Sequence, residues 1–134
     1  MPTITDIEGI GEAYAVKLRQ AGVSTTETLL QMGGTPQGRK ELAKATGFST
    51  KVILGWVNHA DLFRVSGIGA QYADLLEAAG VDTVPELAIR KPEALLEALA
   101  KVNEKKNLVN LMPGLSRVEA WVKHAKSLKR AVEY

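Results

Sequence analysis

The sequence contains no cysteine. That excludes a disulfide framework, an iron–sulfur cluster and any thiolate zinc site. Histidine is nearly as scarce: only His59 and His124 occur, too few for an all-histidine metal centre. Aromatic residues are 5% of the 134 positions, so a core has to be assembled from Leu, Val, Ile and Ala. A strong charge of one sign is also missing. Lys and Arg number 17 against 15 Asp and Glu, a formal charge of +2, far from a polybasic, histone-like chain. No apolar run approaches the ~18 residues of a membrane span, and MPTITDIEG lacks the basic-then-apolar pattern of a secretory signal. A cytoplasmic protein with no membrane partner is the expectation. Catalytic signatures are absent as well: there is no nucleophile elbow, P-loop or HExxH, and Glu93 and Glu97 have the spacing of an exposed helix face. Enzyme activity, a bound metal and a cofactor are therefore not expected.

What is present is a repeat. Residues 7–29 realign on residues 65–87 at an offset of 58. The identical pairs include Gly9/Gly67, Ile10/Ile68, Gly11/Gly69, Tyr14/Tyr72, Leu18/Leu76, Gly22/Gly80, Thr25/Thr83 and Leu29/Leu87. Each copy closes alike, on WVNHA at 56–60 and WVKHA at 121–125, now at an offset of 65. The second copy therefore carries an insertion near residues 101–113. Two related units follow, at 1–62 and 63–134, the second with the insertion and a basic C-terminal helix. No Gly/Ser/Pro-rich linker separates them, and residues 54–64 read as one continuous helix. The units are expected to pack as one compact body, with a monomer favoured.

Every segment reads as helix, because none shows a sustained period of two in β-branched residues. Residues 12–21 form a short helix with Gly22 in the place of a left-handed C-terminal cap. Ser24 with Glu27, Thr83 with Glu86, and Ser116 with Glu119 fit capping boxes. Pro36 and Pro92 suit first helical turns, Gly47 breaks a helix, Ser49 caps the next one, and Pro113-Gly114 is a turn. About ten short helices are expected. Only MPTITD precedes the first repeat, so the first unit should lack a full leading helix.

Gly9-Ile10-Gly11 and Gly67-Ile68-Gly69 each stand at the start of a helix. Glycine can take positive φ and allows another backbone to come close. The isoleucine between can insert into the core and pin the turn. The second glycine then leaves the first free amides of the helix pointing outward, which with the helix dipole makes a small anion site. A nucleic-acid phosphate fits such a site, and that contact reads backbone rather than bases.

An apolar residue, any residue, then Gly-Ile-Gly and a short helix resembles the helix-hairpin-helix motif. The continuations AGVSTTETLL and AGVDTVPELA extend the likeness to the paired-hairpin domain at the N-terminus of archaeal and eukaryotic strand-exchange recombinases, and to the C-terminal domain of the RNA polymerase α subunit. Residues 4–128, with both WVxHA endings, are similar to the family called domain of unknown function 4332. The resemblance implies an all-α fold of two tandem paired helix-hairpin-helix units, SAM-like or recombinase N-terminal-like. It also implies a second, degenerate hairpin in each unit, at Gly47-Phe48-Ser49 and Gly114-Leu115-Ser116. Its functional implication is sequence-nonspecific binding of the nucleic-acid backbone, DNA first. Carried over by position, the contacts fall on Gly9, Ile10, Gly11, Gly67, Ile68 and Gly69, and at the degenerate hairpins on Ser49, Lys51, Ser116 and Arg117. Lys17, Arg19 and Lys123 add charge.

The residues also carry a plainer reading. DNA-binding hairpins are often basic just after the second glycine, where this chain has Glu12-Ala13 and Ala70-Gln71, and Glu8 precedes the first turn. Residues 1–62 hold six bases and six acids, and residues 63–134 eleven and nine. Much of the surplus falls on Lys123, Lys126, Lys129 and Arg130, of which Lys123, Lys126 and Arg130 are expected to share a helix face. On the plainer reading the glycine turns serve packing alone, Ser49 and Ser116 only cap helices, and the chain is a helical protein–protein interaction module. Trp56 and Trp121 are expected in the core, with Tyr14 and Tyr72 packed under the turns and their hydroxyls at the surface. His59 and His124 are expected to be packing or hydrogen-bonding side chains.

Overall fold

The computed structural model describes residues 3–134. Among them are eight α-helices and no strand, fewer than the ten helices expected. The chain divides into two units: Met1–Asp61 with Arg130–Tyr134, and Leu62–Lys129.

In the first unit a 3-10 turn at Ile4–Asp6 leads into α1 (Glu12–Gln20), α2 (Thr26–Gly33), α3 (Pro36–Thr46) and α4 (Thr50–Leu62). The 3-10 turn occupies the described part of the short lead; Met1 and Pro2 lie outside the described residues. Its Ile4 amide donates to the Ser24 carbonyl at 3.4 Å, and Thr3 forms an isolated antiparallel bridge with Thr25. Gly22 ends α1 at φ +90° and Gly47 ends α3 at φ +82°. Thr35 caps α3 through its hydroxyl and Pro36 fills the first turn, where a missing amide does no harm. α2 is capped by Thr25, whose hydroxyl accepts from the Thr28 amide at 3.1 Å, and not by Ser24. The 58-residue offset places Thr25 opposite Thr83, the cap of α6, so the repeat itself marks this cap.

The last five residues belong with this unit. The Arg39 side chain is 5% exposed and donates to the carbonyls of Gly33 at 2.8 Å and Glu133 at 2.6 Å. The Glu133 amide donates to the Gly34 carbonyl at 2.7 Å, and the Tyr134 hydroxyl donates to Asn58 Oδ1 at 2.9 Å. A Cβ at Gly34 would lie 2.7 Å from the Ala131 carbonyl oxygen, so only glycine admits this close approach.

The second unit contains α5 (Ala70–Ala78), α6 (Val84–Ala88), α7 (Pro92–Lys106) and α8 (Leu115–Ser127). α8 packs on α6 and α7, and α7 on α5, around Leu75, Leu76, Leu87, Leu95, Leu99, Val118 and Trp121. Thr83 caps α6, Gly80 follows α5 at φ +92° and Pro92 opens α7, all as the sequence suggests.

The expected insertion falls on α7 and the loop after it. α7 has 15 residues where α3 has 11, and residues 107–114 stand where 47–49 stand in the first unit. Asn107 ends α7 in the left-handed region at φ 48°. The Asn103 carboxamide then holds Val109 twice, donating to its carbonyl at 3.1 Å and accepting from its amide at 3.0 Å.

Three local expectations change. The cap of α8 is Gly114 rather than Ser116; at the 65-residue offset it stands opposite Ser49, which caps α4 by accepting from the Val52 amide at 3.1 Å. Gly114-Leu115-Ser116 is therefore two residues out of register with Gly47-Phe48-Ser49, and Gly114 has φ −76° where Gly47 is left-handed. α4 stops at Leu62 rather than Arg64, and α8 stops at Ser127. Lys129 and Arg130 thus lie beyond the basic helix, and Arg130 shares no helix face with Lys123 and Lys126.

Candidate nucleic-acid interface at the glycine turns

The two Gly-Ile-Gly segments adopt one geometry. Ile10 donates its amide to the Ile7 carbonyl at 3.1 Å and Ile68 donates to Val65 at 3.2 Å, closing a four-residue turn in each unit. The third position is Gly9 at φ +92° and Gly67 at φ +88°, a conformation that side chains with a Cβ resist. Ile10 and Ile68 are each 4% exposed, so the residue between the glycines does pin the turn to its core. Gly11 and Gly69 are the N-caps of α1 and α5, with no side-chain cap. Their carbonyls accept from Ala15 and Ala73 at 2.9 Å, which leaves the amides of the first helical turn without an intrahelical acceptor. All four glycines are exposed.

A tryptophan lies under each turn. A Cβ on Gly9 would lie 3.5 Å from Trp56 Nε1, and one on Gly67 would lie 3.3 Å from Trp121 Nε1. Trp56 is 7% exposed and Trp121 1%, so both are core anchors and neither is a stacking platform. Tyr14 packs at 5.0 Å on Phe48, which meets Trp56 edge-on at 5.2 Å. Tyr72 packs on Trp121 at 5.2 Å.

Around these shared parts the units diverge. At the first turn Glu8 and Glu12 flank the glycines. Glu12, the first residue of α1, pairs with Arg19 at 2.9 Å, and Lys17 Nζ lies 5.6 Å from the centre of the Phe48 ring. Both cations that the sequence offers for the first turn thus have local partners. At the second turn the equivalent positions are Ser66 and Ala70. The Ser66 amide donates to His124 Nδ1 at 2.9 Å, so the neutral His124 ring carries its proton on Nε2 and ties the turn to α8.

The Tyr72 hydroxyl donates to the Leu111 carbonyl at 3.1 Å. Arg117 donates to the same hydroxyl at 3.2 Å, its guanidinium 5.7 Å from the Tyr72 ring centre. The inserted loop is thereby drawn up to the second turn. Between them is a cleft of about 410 Å³, lined by Gly67, Gly69, Ala70, Gln71, Tyr72, Asn110 and Leu111.

The remaining candidates are dispersed. Ser49 is occupied as a cap. Lys51 lines a different cleft of about 270 Å³, with Pro36, Arg39, Lys40, Thr50 and Leu54. Ser116 is exposed in the first turn of α8, and Lys123 is exposed further along it. Gln71, Asn110 and Leu111 were not singled out from the sequence. The insertion was the signal, since a loop present in only one of two copies changes the surface of that copy.

A pair of units, each opening on a glycine turn over a buried tryptophan, defines an all-α protein with an internal repeat. The chain belongs to the family described as Domain of unknown function (DUF4332), whose model matches residues 8–128. No curated protein and no solved structure is matched. No helix among the described residues is long and apolar enough to cross a membrane.

Proposed function

We propose that this protein is a non-enzymatic, sequence-indifferent nucleic-acid-binding module, with the glycine turns acting as helix-hairpin-helix elements on phosphate. The supporting observation is the second turn: exposed glycines open α5 with no side-chain cap, and the first helical residue is Ala70 rather than an acid. Amides with no acceptor at a helix start attract an anion, and no carboxylate stands at position 66 or 70 to compete. The second turn is accordingly the stronger phosphate site and the first, flanked by Glu8 and Glu12, the weaker. Lys123 on α8 supplies charge from the same unit, and Arg117 stands beside the turn with Tyr72 as its local partner.

The test is fluorescence anisotropy of labelled single- and double-stranded DNA across a salt series. If about three phosphates are neutralised, log K should fall against log salt with a slope of about −2.7. Gly11→Glu with Gly69→Glu should abolish binding and leave the helical signal intact. Unchanged affinity in the folded double variant removes the turns from the mechanism.

A protein-docking role is the second reading. It is favoured by Ile89, 80% exposed, and by the carboxylates beside the first turn. It predicts no salt-dependent DNA binding and a partner recovered by pull-down that survives nuclease treatment.

A further inference from the structure

We infer that the first unit holds a small-anion site in the cleft where α3 and α4 begin, and that it takes a phosphate dianion, as free phosphate or a phosphomonoester. The site shares no lining residue with the glycine turns and does not depend on nucleic-acid binding.

Charge is sorted within this unit. Residues 36–54 hold four of the six bases of residues 1–62, namely Arg39, Lys40, Lys44 and Lys51, and one of the six acids, Glu41. Three of those bases line one cleft of about 270 Å³, together with Pro36, Thr50 and Leu54. No carboxylate lines it. Glu41 bonds to Gln37 at 3.4 Å on the exposed face of α3, and neither α3 nor α4 has an acid in its first turn. Arg39, Lys40 and Lys51 have no ion-pair partner among the described residues. Like charges around one cleft repel, and an anion between them relieves that repulsion.

Arg39 gives a second, independent pointer. Its residue is 5% exposed, and its hydrogen bonds go to the Gly33 and Glu133 carbonyls. Those carbonyls satisfy donors and leave the positive charge uncompensated. Buried charges are ordinarily paired, so an anion in the cleft supplies the counter-charge that this guanidinium lacks.

The donors suit a phosphate. Ser49 caps α4 by accepting from the Val52 amide at 3.1 Å, and its carbonyl accepts from Ile53 at 3.1 Å. The amides of Thr50 and Lys51 therefore have no acceptor within the helix. The Thr50 hydroxyl and the Lys40 and Lys51 ammonium groups, all on exposed residues, add mobile donors. The cleft is slightly below the roughly 300–1,000 Å³ of drug-sized sites, so it fits a small anion rather than a whole nucleotide. Three cations favour two negative charges over one.

The second unit does not repeat the site. Counting from Pro36 and Pro92, which each open a helix, Arg39 and Lys40 stand opposite Leu95 and Leu96. At the 65-residue offset Lys51 stands opposite Ser116.

The experiment is an amide NMR titration of the full chain with inorganic phosphate at constant ionic strength. The Thr50 and Lys51 amide resonances should move saturably, and sodium chloride in place of phosphate should not move them. Lys40→Ala with Lys51→Ala, at exposed helical positions that accept alanine, should weaken phosphate binding about tenfold. Lys44→Ala, on the same helix and outside the cleft, should change it by about twofold or less. Dimethyl phosphate, a diester with a single charge, should bind about fivefold or more weakly than phosphate. Equal movement with chloride, or unchanged affinity in the double lysine variant, overturns the site. Equal binding of dimethyl phosphate overturns the dianion preference and makes the cleft a contact for a diester backbone. Movement confined to the amides that open α1 and α5 overturns this site while the glycine-turn reading stands.

Discussion

The two glycine turns superimpose in their chemistry only up to the backbone. Each has a left-handed first glycine, a buried isoleucine and a tryptophan beneath it. Beyond that, the first turn is surrounded by its own counterions, with Glu12 on Arg19 at 2.9 Å and Lys17 against Phe48. The second turn has alanine in place of Glu12 and a pinned loop beside it. Duplication keeps what the turn needs to fold, and the surroundings are free to differ. Charge on the helix after the turn favours the first unit, with Lys17 and Arg19 on α1 against Asp74 and Glu77 on α5. Once their partners are taken into account, the second turn is the more open to an anion.

The comparison can be broken most forcefully at Arg39, which has no counterpart in the second unit. Its guanidinium bridges the Gly33 and Glu133 carbonyls while 5% exposed. Arg39→Met should destabilise the first unit by about 3 kcal/mol, since two charge-assisted hydrogen bonds are lost. Amide hydrogen exchange should accelerate across α2 and α3 and far less across α6 and α7. Equal acceleration in both would show that the units do not open separately.

A smaller effect separates the turns themselves. Alanine at Gly9 or Gly67 meets the same positive-φ penalty, about 1–2 kcal/mol. At Gly67 the added Cβ also lies 3.3 Å from Trp121 Nε1, against 3.5 Å from Trp56 Nε1 at Gly9. Gly67→Ala should therefore lower the denaturation midpoint more than Gly9→Ala, measured in parallel urea melts.

Exchanging the acid tests the functional difference. Ala70→Glu should weaken DNA binding by about threefold to tenfold, and Glu12→Ala should strengthen it by about twofold to threefold, read by anisotropy at low salt. The reverse order would return the primary role to the first turn.

The smallest effect concerns Glu86 on α6. Burial, and then the neighbouring Asp82 carboxylate, push its carboxyl above the ordinary glutamate range. A raised folded value means that the folded state binds the proton more tightly. The stability so gained is present in acid and is lost as pH rises through that value. Glu86→Gln should slightly raise stability at neutral pH and flatten that segment of the stability–pH profile, with no change in the first unit.

Much of the helical plan was legible in residues whose local chemistry dictates it. Gly22, Gly47 and Gly80 terminate helices because they take positive φ. Pro36 and Pro92 open helices, and Thr83 caps α6. The choice of Ser24 over Thr25 failed because neighbouring hydroxyls can each satisfy a capping pattern, and that of Ser116 over Gly114 because α8 starts on a glycine with no side-chain cap. Packing selects the one in register. The face assigned to Lys123, Lys126 and Arg130 failed because α8 ends at Ser127, and periodicity alone carries no stop signal there.

The sequence by itself determined the repeat, the all-helical class, the turn geometry at Gly9 and Gly67 and the position of the insertion. Each of these is written in short-range patterns: backbone freedom, capping, and apolar spacing. Only the tertiary structure decided how the charges pair, that Arg130–Tyr134 fold back onto the first unit, and that the inserted loop meets Tyr72 to form a cleft. These depend on contacts between residues far apart in the chain, such as Arg39 with Glu133 and Tyr72 with Leu111. No local pattern encodes them, because their energies exist only once the helices have packed.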